Sequence, residues 1–440
     1  MKAVVNTRHG GPETLEYRDL ADPEPGPGEV LIAVRAAGVN RLDLLQRRGP
    51  GVLPGFSLPH IPGMDISGDI VATGPGVEGR RLGDRVVVNP AVACGHCQEC
   101  RIGQDAYCAD VQIIGGNRPG GYAELVAVPA THTHVLPPGT AHIAAAALPT
   151  AYGMAWQALV VRGELRADET VLVHGGGSGV SMAAVHIARR IGARVIVSSS
   201  TDEKSAHMAT VGAHATINNR REDVAARARE LNHGVGVDLV LDHVGPALFQ
   251  ASLHSLRLRG RLVFCGDTSG TTAAFHLPHA FHCGITLLGA GSCGYADFGA
   301  MIDFCFGDGS GIEGELEPIV DTLLPLSEAA VAHHRMESGQ TMGKVVLLPG
   351  AALPRPVKQR TTQGSRAPQS DAAQSSKGPS GKASAAHPAD QAPAPAPRPS
   401  SAKPRTGTAV VSSVSDVSTA SAVSAGSSVS AGSSRVSTRS

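Results

Sequence analysis

The sequence predicts an α/β chain of two domains, a β-rich one followed by a doubly wound parallel sheet, with a disordered tail after them. Three observations predict this. The chain has 440 residues, more than one ordinary domain holds. Short apolar runs broken by glycine and proline fill the first 150 residues, after which strand-like runs alternate with helical ones. From residue 351 the composition collapses to Ser, Ala, Pro and Thr dotted with basic residues.

In the first domain, residues 29–35, 68–72 and 84–88 are apolar runs bounded by turn residues and are expected to be strands. From about Tyr152 the pattern changes. Residues 171–174 form a buried-strand run, a glycine cluster follows, and an alanine-rich segment of helical period runs to Arg190. Strands are then expected at 194–197, 237–241, 262–264 and 286–288, with helices at 202–211 and 223–231. Residues 343–348 add a last strand. The expected boundaries are 1–151 for the first domain (with a cysteine lobe at about 90–115) and 152–285 for the second. Residues 286–350 finish the sheet and return to the first domain, and 351–440 form the tail.

Charge is divided unevenly. Residues 351–440 carry 11 Lys/Arg and 3 Asp/Glu, a net of +8, so the first 350 residues carry 27 against 35, a net of −8. An acidic body lacks the clustered cations that phosphate backbones require, which argues against nucleic acid as a partner. No stretch approaches the ~20 apolar residues of a membrane span. The opening Met1-Lys2-Ala3-Val4-Val5-Asn6 lacks the apolar core of a signal peptide. The expectation is a soluble, cytoplasmic chain with no membrane partner.

Four of the eight cysteines, Cys94, Cys97, Cys100 and Cys108, crowd into one short segment. Four thiolates at this spacing can close a tetrahedron around one Zn²⁺ and leave no open position, which makes the metal structural. Cys283, Cys293 and Cys305 are scattered, and Cys265 reads as a small apolar packer.

Gly175, Gly176, Gly177, Ser178, Gly179 and Val180 follow a strand and open a helix. Glycines there let the backbone approach a pyrophosphate, and the helix N-terminus offers free N–H groups to it. Ser181 stands near the place of the last glycine of the usual fingerprint, a change expected to loosen helix-to-sheet packing. At the end of the next strand an acid usually binds the ribose 2′-hydroxyl. Here the count reaches Ser199, followed by Ser200 and Lys204. Small hydroxyls and a cation suit a 2′-phosphate, so NADPH is expected; Asp202 and Glu203 keep NADH open as the alternative. Val244, Gly245, Cys265 and Gly266 end two consecutive strands at the carboxyl edge, where a nicotinamide is expected.

The chain resembles the medium-chain dehydrogenase/reductase superfamily over residues 1 to about 350. The stretches that carry the resemblance lie at residues 36–43, 62–68, 83–86, 120–124, 175–181, 242–245 and 343–346, together with the cysteine lobe. It implies a GroES-like catalytic domain joined to a Rossmann domain, a homodimer, and a place for Lys344 in the cofactor-binding set. In zinc alcohol dehydrogenases of this family a Cys, a His and a further Cys or acid hold a catalytic metal beside a Glu. The matching positions here are Asn40, Met64 and Thr150, with Asp65 at the Glu. An amide, a thioether and a hydroxyl are poor Zn²⁺ ligands. Asn40 with Asp43 resembles instead the quinone oxidoreductase branch, which works without catalytic zinc, although that branch usually lacks the lobe.

Without a Lewis acid the small-molecule acceptor must itself be electrophilic, as a quinone or an α,β-unsaturated carbonyl is. Asn40 is then the candidate donor to the developing oxyanion and Asp43 orients it. The rival readings are an alcohol dehydrogenase with an unusual site and a non-catalytic NADPH-binding protein with an RNA or protein partner.

Overall fold

The computed structural model describes residues 1–49, 53–307 and 316–350. The expected tail lies outside the described residues. Two sheets organise the chain, and each is placed by a different kind of strand.

The second sheet is the simpler. Its six strands run in the order Ala215–Asn218, Arg194–Ser199, Thr170–Val173, Val237–Asp242, Leu256–Phe264 and Thr286–Gly289. Every pairing is parallel. The central strand shows why its sequence is an unbroken apolar run. Val171 and Val173 face one buried cluster, with Ala184 and Ile187 of the helix Gly179–Ile191. Leu172 faces the opposite cluster, with Val224, Ala228 and Leu253. Both faces of a parallel sheet are covered by helices, so both side-chain parities must be apolar. This strand order reverses direction beside Thr170–Val173, and ligand crevices form at such a switch point.

The first domain centres on a seven-stranded sheet. Its path runs Val320–Pro325, Lys344–Leu348, Glu29–Gly38, Asp65–Thr73, Arg85–Val88 and Thr133–Val135, with Leu125–Pro129 also paired to Glu29–Gly38. Glu29–Gly38 alternates buried and partly exposed side chains over its first half, as a strand with one covered face does. The last strand, Lys344–Leu348, is fully buried and lies antiparallel to Glu29–Gly38, with Val346 opposite Gly38 and Leu347 opposite Ala37. That register carries Lys344 to the end of the strand that delivers Val39 and Asn40.

All the expected strands and helices are present. The strand expected at 262–264 begins earlier, at Leu256, because its first half alternates leucine with arginine and has no continuous apolar run. The strands Ala215–Asn218 and Val320–Pro325, and the helices Pro246–Ser255, Tyr295–Phe306 and Ala329–Glu337, were not expected. Short strands with mixed polarity carry too little periodicity to register. Among the described residues no helix is long and apolar enough to cross a membrane.

Candidate active site

The phosphate-type loop joins the strand Thr170–Val173 to the helix Gly179–Ile191. Gly175 and Gly177 hold φ of 71° and 100°, a region in which a side chain is strained. Ser178 caps the helix by accepting the Ser181 N–H at 3.1 Å. Ser181 does not loosen the packing, contrary to expectation. Its hydroxyl is buried and lies 2.8 Å from the carbonyl oxygens of His174 and Gly175, so it ties helix to strand by hydrogen bonding where glycine would do so by close approach.

A cavity of about 480 Å³ opens in front of this loop. Gly175, Gly176, Gly177, Ser178, Gly179 and Val180 line it, together with Asn40, Thr150 and Lys344. Ser200, Lys204 and Val244 also line it. Ser199 does not. It is wholly buried beneath Gly176, with its hydroxyl lacking a partner, because strand alternation turns it inward and leaves Ser200 on the wall. The Lys204 stem crosses Gly177 and its ammonium donates to the Gly339 carbonyl at 2.9 Å. Asp202 is engaged elsewhere, by Asn218 at 2.6 Å and Arg221 at 2.5 Å. Gly245, Cys265 and Gly266 line a neighbouring cavity, with Phe249 and Phe264, and not this one. Burial pushes the Cys265 thiol up to about 12, as befits a packing residue.

Thr150 and Lys344 meet at Asp65. Its Oδ1 accepts from Thr150 twice, from N–H at 2.9 Å and from Oγ1 at 2.5 Å. Its Oδ2 accepts from the Lys344 ammonium at 2.7 Å. The same ammonium donates to Asn40 Oδ1 at 2.8 Å and to the Val39 carbonyl at 3.0 Å. Lys344, expected in the cofactor set, therefore directs all three of its donors into this cluster, while its stem passes close to Gly179. Asn40 Nδ2 is buried and has no hydrogen-bond partner among the described residues.

Asp43 lies behind this cluster and does not reach the cavity. Its carboxylate accepts the Asn40 N–H at 2.8 Å, the Gly63 N–H at 3.2 Å and the Tyr122 hydroxyl at 3.3 Å. Burial pushes this carboxyl up to about 7, against the pull of the two backbone donors. The chain of contacts continues from Tyr122 to His333 Nε2 at 3.2 Å, and Arg47 Nε donates to His333 Nδ1 at 3.2 Å. No local spacing in the sequence links His333 to Tyr122; they meet only in the fold. Tyr152 and Trp156 are buried near the junction; Tyr152 bonds His186 at 2.6 Å and Trp156 packs on Phe304.

The residues at the expected catalytic-metal positions do not fit a metal. Met64 turns away to pack with Ala91 and Ile113. Thr150 and Asp65 satisfy each other, and Asn40 presents its oxygen to a lysine. The four-cysteine lobe is the opposite case. All four Sγ atoms lie within 4.8 Å of one another, with Cys97 to Cys100 at 3.5 Å, Cys94 to Cys100 at 3.9 Å and Cys97 to Cys108 at 4.0 Å. A tetrahedron of Zn–S bonds of about 2.3 Å needs sulfur separations of about 3.8 Å. Backbone N–H groups of Cys94 and Cys97 point at Cys108 and Cys94 sulfurs, as they do around thiolates.

Two family models match the chain: the alcohol dehydrogenase GroES-like domain over residues 26–138 and the zinc-binding dehydrogenase domain over residues 179–307. Among curated relatives, the chain is 31% identical to an acryloyl-coenzyme A reductase of Metallosphaera sedula and 33% identical to a quinone oxidoreductase of Pseudomonas aeruginosa. Each match covers 79% of this chain and 99% of the relative. Among solved structures, an NAD-dependent alcohol dehydrogenase is 38% identical, with a TM-score of 0.74 over 79% of this chain and 99% of that one.

Proposed function

Because the chain belongs to the medium-chain dehydrogenase/reductase superfamily and is an NAD(P)H-type oxidoreductase, we propose that it reduces a quinone or an α,β-unsaturated carbonyl with NADPH and without a catalytic zinc. The observation that carries this reading is the Asp65 cluster. Where a metal would need ligands, Thr150, Asp65, Lys344 and Asn40 bind one another and Met64 faces apolar packing. A conjugated acceptor suits such a site because it spreads the charge that hydride addition creates.

NADPH, when bound, supplies the hydride and its two electrons. The chain's own residues do the rest. The glycine loop and the helix N-terminus of Gly179–Ile191 receive the pyrophosphate. Ser200 and Lys204 face the ribose end, and positions 199 and 200 at the end of that strand carry hydroxyls where a carboxylate would repel a 2′-phosphate. Asn40 donates an N–H to the acceptor oxygen as it becomes negative, and a solvent proton completes the product. Asp43 holds the Asn40 backbone and takes no part in contact. The lobe cysteines hold one structural Zn²⁺. Self-association as a homodimer is favoured by the unpaired edge strand Thr286–Gly289 and by Leu258, Leu277 and Phe281, each more than 60% exposed.

The test is a substrate panel of 1,4-quinones, 2-enoyl thioesters, 2-alkenals and saturated aldehydes, each with NADPH and with NADH. Turnover of the conjugated acceptors with NADPH is expected. Turnover of saturated aldehydes or alcohols at comparable kcat/KM supports an alcohol dehydrogenase instead, and NADPH binding with no turnover supports a non-catalytic role.

A further inference from the structure

We propose that Lys344 is the positioning residue of an oxyanion site: it fixes the side-chain amide of Asn40 so that the N–H₂ faces the acceptor, and it sets a positive charge one hydrogen bond behind that donor. The inference rests on the reading that the cavity receives a carbonyl acceptor, and it names the group responsible for polarising it.

An ammonium donates three hydrogen bonds and accepts none. Lys344 uses its three on the Val39 carbonyl, Asp65 Oδ2 and Asn40 Oδ1, at 3.0, 2.7 and 2.8 Å. An asparagine amide can flip, but only its oxygen can meet an ammonium. Nδ2 is therefore turned away from Lys344, and it has no partner among the described residues although Asn40 is 93% buried. Asn40 lines the cavity, so this covered, unsatisfied donor is one that a ligand oxygen seated there would satisfy. Asp65 in turn locks Lys344, and Thr150 locks Asp65 through two hydrogen bonds. The cavity wall thus offers one neutral donor whose polarity rises because its oxygen is bound to a cation.

The alternative role for Lys344 is a phosphate contact, since its stem runs beside Gly179. The two roles separate experimentally. The full chain, saturated with NADP⁺, is titrated with 4-nitrophenol, and ionisation of the bound phenol is read from its absorption band. In wild type the site is expected to favour phenolate over phenol by roughly tenfold relative to water. In Lys344→Met/Asp65→Asn, which removes both charges and leaves no unpaired ion, that preference falls to within about threefold of water, while the NADPH Kd stays within about threefold of wild type. Asn40→Asp keeps Lys344 paired but replaces the N–H₂ with an oxygen, and it is expected to reverse the preference.

A wild type without phenolate preference overturns the proposal. So does an Asn40→Asp protein that keeps the wild-type preference. A double variant that weakens NADPH roughly tenfold with the preference intact assigns Lys344 to phosphate binding. The reductase reading fails separately: no turnover with any conjugated acceptor, alongside a phenolate preference that obeys the variants, removes that reading and leaves the oxyanion site standing.

Discussion

The four-cysteine lobe and the Asp65 cluster lie in the same domain, at the two sets of positions where zinc alcohol dehydrogenases of this family hold metal. In the lobe, four sulfurs lie within 4.8 Å of one another and the backbone N–H groups of Cys94 and Cys97 point at two of them. In the cluster, both oxygens of Asp65 and the side-chain oxygen of Asn40 already have donors, and the donor with the most bonds is the ammonium of Lys344. The first arrangement is a set of four sulfur donors of the kind that holds Zn²⁺. The second carries its cation on a lysine side chain. The difference lies in the donor sets: the lobe gathers four sulfur ligands, whereas the cluster pairs the carboxylate of Asp65 with a lysine delivered by the strand Lys344–Leu348.

The comparison can be broken most sharply at Lys344. Lys344→Met alone leaves Asp65 buried and unpaired, and should cost ~3–5 kcal/mol in urea denaturation. Lys344→Met/Asp65→Asn should recover most of that loss. Equal stability of the single variant and wild type would mean that the ion pair does not anchor the cluster.

Asn40→Ala removes the donor but not the Asn40 backbone contact to Asp43. By analogy with loss of one oxyanion donor, kcat of the folded protein should fall by roughly 10²-fold, alongside a stability loss of about 1–3 kcal/mol from the Lys344 donor left unpaired. An unchanged kcat would leave the cluster a purely structural feature.

The lobe is tested by metal content. Elemental analysis should find about one zinc per chain, lost in Cys100→Ser, with a less stable lobe and hydride transfer retained by the folded fraction. Two zincs per chain would make the two sites alike and dissolve the contrast.

The smallest effect lies behind the cluster. Arg47 donates to His333 Nδ1, an arrangement that requires a neutral ring, and burial holds His333 down to about 3. Its folded value lies below the ordinary 6.5, so the unfolded chain takes up the proton first as pH falls. The stability from the neutral ring is complete above pH 6.5 and drains as pH falls toward 3. Relative to wild type, His333→Asn should show about 1 kcal/mol less loss between pH 6.5 and 5.5. Parallel pH dependence of the two proteins would show that His333 is not held neutral.

Much of the molecule was legible in the sequence because its signals are local. The glycine cluster, the buried-strand runs and the cysteine spacing each lie within about a dozen residues, and local geometry translates such spacing into structure. The misreadings fall where a second element decides. Ser199 stands at the counted ribose position, yet strand parity turns it under Gly176 and puts Ser200 on the wall. Gly245, Cys265 and Gly266 end the right strands but line the neighbouring cavity.

The sequence by itself determined a β-rich half followed by a parallel α/β sheet, a glycine loop between strand and helix, a cluster of four cysteines, and Asn40, Met64 and Thr150 at the positions where the family resemblance implies metal ligands. Only the tertiary structure decided what those three side chains meet. Lys344 is 279 residues from Asp65 and 304 from Asn40, and no periodicity connects them. They meet because Lys344–Leu348 pairs antiparallel with Glu29–Gly38, in the register that sets Val346 against Gly38. Strand pairing is a long-range choice made by the packing of the whole domain, and the charge at the cleft follows from it.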